Sequence, residues 1–159
     1  TDYDREVLPY KNDDIINAHA MPGAHAALQA VQDAGLRCAL FTNPSFPQGA
    51  IECRMGWGDL ADAPFELVTH MGNATRCKPD ATYYLEQLQV MGLEPHEVLM
   101  VGNDPKRDFP SPACGIQTAY VGQGKPSRAT WRGTMEDFAR DFNAVVEAFY
   151  EHQVANELS

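Results

Sequence analysis

The chain has 159 residues, a length that fits one domain and lets a core form without disulfide or metal staples. Its composition, 44% hydrophobic and 21% charged, is that of a globular protein. Twelve basic residues against 22 acidic ones leave a formal net charge of −10, which argues against nucleic acid or an anionic membrane as the main partner and leaves room for a small anion in a local pocket.

In chain order, Thr1-Asp2-Tyr3-Asp4 offers neither a basic nor an apolar stretch and does not read as a signal peptide. Ala24, Ala27, Leu28 and Val31 recur at helical spacing, between Pro22-Gly23 and Gly35, and predict a helix. Leu36 to Phe41 reads as a buried strand that ends at Thr42-Asn43-Pro44, where proline disfavours continuation. A second strand is predicted at Phe65 to Thr69, and a second helix from Asp80 to Met91 with Tyr84, Leu85 and Leu88 on its buried face and Gly92 as its stop. Val98 to Val101 is a third strand, followed by Gly102-Asn103-Asp104; a short helix then ends near Gly115, and Gln117 to Val121 is a fourth strand.

Gly122 to Gly133 reads as a loop, and Met135 to Val154 as one long helix burying Phe138, Phe142, Val145, Val146 and Phe149. Strands separated by helical patterns predict an α/β fold with a doubly wound parallel sheet. The four cysteines, Cys38, Cys53, Cys77 and Cys114, lack CxxC spacing and read as reduced, mostly buried thiols of a cytoplasmic protein. No apolar run approaches the ~20 residues of a membrane span. The five histidines show no paired-ligand spacing, and Gly122-Gln123-Gly124-Lys125 lacks the full Walker pattern.

Ligands of an open parallel sheet bind beyond the carboxyl ends of its strands. Three polar clusters fall at such ends: Thr42-Asn43, Lys78-Pro79-Asp80, and Asn103-Asp104 with Asp108. Singly they have plain explanations, a turn, a solvated lysine and a helix cap. In order, they are expected to bring a hydroxyl, an amide, an ammonium and two carboxylates to one rim.

That order resembles the haloacid dehalogenase superfamily of phosphohydrolases and relatives. Phe41-Thr42-Asn43 is similar to its second motif, Cys77-Lys78-Pro79-Asp80 to its third, and Val101-Gly102-Asn103-Asp104 with Asp108 to its fourth; Ala113 to Thr118 resembles the stretch that follows. The resemblance implies a Rossmann-like core at residues 20–159 and a Mg²⁺-dependent hydrolase acting on a small phosphorylated metabolite. Thr42 and Lys78 would be its catalytic residues, Thr42, Asn43 and Lys78 its phosphate ligands, and Asp104 and Asp108 its metal ligands. A dehalogenase fits less well, because that branch does not need Mg²⁺ and the acidic pair is kept.

The superfamily's first motif, a strand ending in Asp-x-Asp, is not found. Asp2-Tyr3-Asp4 has the spacing without a strand, and Asp13-Asp14 has neither. The resemblance therefore implies a core whose first, central strand and nucleophilic aspartate come from upstream in the same gene product or from another chain, with residues 1–19 as the end of a helical cap. The alternative is a catalytically inactive phosphate-binding or interaction domain of the same fold. A response-regulator receiver also places acids, Thr and Lys at strand ends, but in another order.

Overall fold

The computed structural model describes residues 22–45, 48–57, 62–124 and 128–158. The cap reading of residues 1–19 and the acidic pairs Asp2/Asp4 and Asp13/Asp14 lie outside them, as does Lys125. Within the described residues every strand pairing is parallel, as the alternating pattern predicts. The chain divides into two compact units, Thr1–Thr75 and Arg76–Ser159.

In the first unit, α1 (Ala24–Asp33) follows Pro22-Gly23 and closes at Gly35, burying Ala24 and Ala27. The predicted strand at 36–41 contracts to β1 (Ala39–Leu40), which pairs with β2 (Leu67–Val68) in the register Ala39↔Leu67. Backbone bonds from Glu66 to Cys38 and from Thr69 to Leu40 carry the pairing one residue further at either end. Between the strands lies α2 (Gln48–Trp57), which the sequence reading left unassigned; it buries Ala50 and Ile51. Its apolar residues make only a weak stripe, with glycine and charged residues interspersed.

In the second unit, α3 (Ala81–Met91) starts where Asp80 accepts the Thr82 amide at 2.8 Å. It ends at Gly92, whose φ of 71° suits glycine, with Leu93 N–H returning to the Leu88 carbonyl at 2.9 Å. The buried face is Tyr83, Tyr84, Gln87 and Leu88; Leu85, predicted inside, is 44% exposed. The stripe runs through 84 and 88 as predicted, but its width extends to the 83 and 87 side.

β3 (Leu99–Gly102), β4 (Gln117–Val121) and β5 (Trp131–Gly133) form a parallel sheet in the order 3-4-5. β5 lies inside the segment predicted as loop. Three residues containing Trp, Arg and Gly carry no alternation; pairing with β4 makes them a strand, Ala119 opposite Trp131.

The predicted C-terminal helix is two helices, α4 (Met135–Arg140) and α5 (Phe142–Glu157), broken at Asp141. Phe138, Phe142 and Val145 are buried across the break, so the periodicity was real while the backbone was interrupted. Trp131, Phe138 and Phe142 stack edge to face at 5.6 and 5.7 Å. Gln117 Nε2 donates to the Phe149 carbonyl at 2.9 Å, tying α5 to β4. No helix among the described residues is long and apolar enough to cross a membrane. Cys38, Cys77 and Cys114 are free thiols; against the expectation of mostly buried cysteines, Cys77 is exposed in the loop before α3, and the other two are half-buried.

Candidate active site

Thr42 and Asn43 follow the carboxyl end of β1, where the sequence reading puts them. The Thr42 amide donates to Thr69 Oγ1 at 2.7 Å, and the Thr42 hydroxyl donates to the Thr69 carbonyl at 2.8 Å. Thr69, fully buried, therefore continues the β1–β2 ladder with its side chain where the backbone pairing stops. Just beyond, Asn73 accepts the His70 amide at 2.7 Å and donates to the Val68 carbonyl at 2.9 Å, which fixes the turn at β2's end. The sequence reading passed over Thr69 and Asn73; a hydroxyl and an amide bracketing a strand end were the signal available.

In the second unit, Lys78 and Asp108 meet. Lys78 Nζ lies 2.5 Å from Asp108 Oδ1, with the two side chains only 10% and 12% exposed. The other oxygen, Oδ2, accepts the amides of Asn103 at 3.1 Å and Asp104 at 3.0 Å. The Asp108 amide in turn donates to the Asp104 carbonyl at 2.7 Å. The four-residue spacing is thus a closed turn in which Asp108 serves the lysine on one side and the backbone on the other.

Gly102 makes that turn possible by its lack of a side chain. A Cβ there would stand 2.6 Å from Asp108 Cβ and 2.8 Å from its Oδ2.

Asp104 faces differently. Its Oδ1 caps the turn, accepting Lys106 and Arg107 amides at 3.0 and 3.2 Å, while among the described residues Oδ2 meets only Arg107 Nε, at 3.8 Å. Its side chain is 44% exposed. A hard cation such as Mg²⁺ prefers oxygen ligands and is held by one or two carboxylates with waters and substrate phosphate. Asp104 Oδ2 fits that demand; both oxygens of Asp108 are already engaged. No group of three His, Cys, Asp or Glu side chains clusters as a metal cage among the described residues.

Beneath the turn, the Tyr84 hydroxyl donates to the Asp108 carbonyl. Burial, with the Asp108 carboxylate beside it, pushes this phenol well above its ordinary range, so it stays a donor at every physiological pH. A cavity of 680 Å³ lined by Gln117, Thr118, Arg128, Thr130, Glu151 and His152, among others, opens at the amino ends of β4 and β5 and contains none of the predicted residues. The chemistry-bearing loop follows the carboxyl end of β3, as the rule for parallel sheets requires.

Among solved structures, the fold is similar to β-phosphoglucomutase from Clostridium difficile (TM-score 0.69, 16% identity, 91% of this chain and 66% of that one). It is also similar to a predicted phosphoglycolate phosphatase from Haemophilus somnus (TM-score 0.67, 18% identity, 84% of this chain and 62% of that one). In sequence, the chain is 30% identical over 120 residues to a phosphoglycolate phosphatase from Rhodospirillum rubrum, covering 76% of this chain and 48% of the relative. The chain thus spans about half the length of that curated relative. Residues 2–114 match the haloacid dehalogenase-like hydrolases, and the chain belongs to that family.

Proposed function

We propose that this chain carries the phosphate- and cation-binding part of a Mg²⁺-dependent phosphohydrolase that acts on a small phosphorylated metabolite. The observation that carries the reading is the Lys78–Asp108 pair on the same turn as the half-open Asp104, in a chain of this family. A phosphate dianion beside carboxylates is repelled by about 4 kcal/mol per pair of unit charges 4 Å apart at an effective dielectric of ~20. Binding therefore needs cations.

The ammonium of Lys78 supplies one, held in place by the Asp108 carboxylate. Asp104 would hold Mg²⁺, which when bound neutralises charge on the transferring group. This assigns the cation to Asp104 and the lysine to Asp108, a division of labour between two carboxylates first read as a metal pair. The hydroxyl of Thr42 and the amide of Asn43 are assigned to the phosphoryl oxygens; for Thr42 this requires its proton to leave the Thr69 carbonyl. Positioning and electrostatics of this kind dominate phosphoryl transfer.

The nucleophilic aspartate is assigned to a strand upstream of Thr1 in the gene product, or on a second chain, completing the core of residues 20–159. Support comes from the sequence, in which no apolar run leads into an Asp-x-Asp, and from the half-length match to the curated relative. The compartment proposed is the cytoplasm, and the partner a small phosphate ester in place of nucleic acid or membrane. Phosphoglycolate is the first substrate to test, from the name of the 30% identical relative.

The test is phosphate release by the full-length product from 2-phosphoglycolate and a panel of sugar phosphates, with Mg²⁺, after chelation, and after Mg²⁺ is restored. Turnover lost on chelation and regained with Mg²⁺ is expected. Absence of turnover on every ester with Mg²⁺ present would favour the inactive binding domain.

A further inference from the structure

Three successive carbonyls after the turn, those of Asp108, Phe109 and Pro110, are each held by a side chain. The buried Tyr84 of α3 donates to the first; Arg128 Nη2, from the connection between β4 and β5, donates to the second at 3.3 Å and the third at 3.0 Å. The segment is buried, with Phe109 at 2% exposure, and belongs to no helix or strand. Buried carbonyls need donors, and Pro110 contributes no N–H of its own. The donors arrive from two elements that carry none of the proposed phosphate or cation ligands.

We propose that Tyr84 and Arg128 are positioning residues for Lys78, acting by fixing the backbone of Asp108 to Pro110 so that the Asp108 carboxylate divides its oxygens between the lysine and the Asn103 and Asp104 amides. The carboxylate has two freedoms, rotation about its own side-chain bonds and movement of its backbone. The amides and Lys78 restrain the first; the bond from the Asp108 amide to the Asp104 carbonyl and the clamp together restrain the second. If the Asp108 carbonyl were released, the residue would be held on its amide side alone and could tilt, carrying Oδ1 away from a lysine placed at 2.5 Å. The kinetic consequence rests on the phosphohydrolase reading; the structural consequence does not.

The experiment is nitrogen-15 NMR of the Lys78 ammonium in the full-length product, its signal assigned by loss in Lys78→Arg, alongside phosphatase kinetics. Tyr84→Phe keeps the ring and deletes the donor, and Arg128→Met keeps most of the stem. Each is expected to shift and broaden the Lys78 signal and to lower kcat by about tenfold while the unfolding midpoint falls only a few degrees. Leu88→Val, equally buried on α3 but outside the clamp, is expected to lower the midpoint and leave the Lys78 signal in place. An unmoved signal in either clamp variant removes that residue from the proposal, and an equal movement in Leu88→Val overturns it entirely. A wild-type product without phosphatase activity but with a Lys78 signal that moves in the clamp variants would refute the phosphohydrolase reading and uphold the clamp.

Discussion

Asp108 does less of what its position in the sequence advertises and more of what its neighbours need. A second acid four residues after the first reads as half of a metal pair; in the fold it faces an ammonium and two amides. Removing Lys78 strands that carboxylate in a site with little solvent. Breaking such a pair costs about 3 kcal/mol, so Lys78→Met is expected to lower the urea midpoint of unfolding as well as activity. Gly102→Ala attacks the same group from behind, since the new methyl overlaps Asp108 Cβ, which cannot swing aside as a side-chain tip would. Overpacking of this kind costs about 1–3 kcal/mol, and phosphatase kcat is expected to fall with it. A Gly102→Ala product with wild-type kcat and midpoint would show that the turn is not rigid there.

What was legible at this scale was residue type and order: Thr42, Asn43, Lys78, Asp104 and Asp108 all lie beyond or beside strand ends. What was not legible was direction. No spacing rule says which oxygen of a carboxylate a backbone amide will take, and Thr69, Tyr84 and Arg128 act through groups whose partners are distant in sequence.

At the scale of elements, local signals with strong chemistry show in the sequence and cooperative ones do not. Asp80 and Gly92 delimit α3, and the apolar run at 117–121 is β4. β5 and the break at Asp141 depend on partners instead. The start of α4 has chemistry of its own: Thr134 opens the helix with a reciprocal cap, its hydroxyl accepting the Asp137 amide at 3.1 Å and its amide donating to Asp137 Oδ2 at 2.9 Å. These bonds, and Arg140 beside them, hold the Asp137 carboxyl below its ordinary 3.8. A depressed carboxylate stabilises the fold above the unfolded value and loses that contribution as pH falls through the folded one. Asp137→Asn is therefore expected to lower the thermal midpoint at pH 7, and its difference from wild type to shrink as pH falls through the depressed folded-state value. A difference that persists unchanged into acid would mean that the cap's charge contributes nothing. Thr134→Ala is expected to cost about 1 kcal/mol in the same measurement.

At the scale of the molecule, net charge acts on extended partners more than on one small anion. A charge of −10 argues against extended polyanions, while the proposed phosphate site asks only for one lysine and one cation. Among the described residues β1 is laddered only to β2, and β3 only to β4. That pattern agrees with the proposal that a further strand, bearing the nucleophile, belongs to the complete core. On this account the full-length product turns over phosphate esters. The most direct measurement is steady-state hydrolysis of p-nitrophenyl phosphate with Mg²⁺ by the full-length product and by its Asp104→Asn and Lys78→Ala variants. The account predicts turnover in the wild type and a loss of about a hundredfold or more in each variant; wild-type turnover in either variant would contradict it.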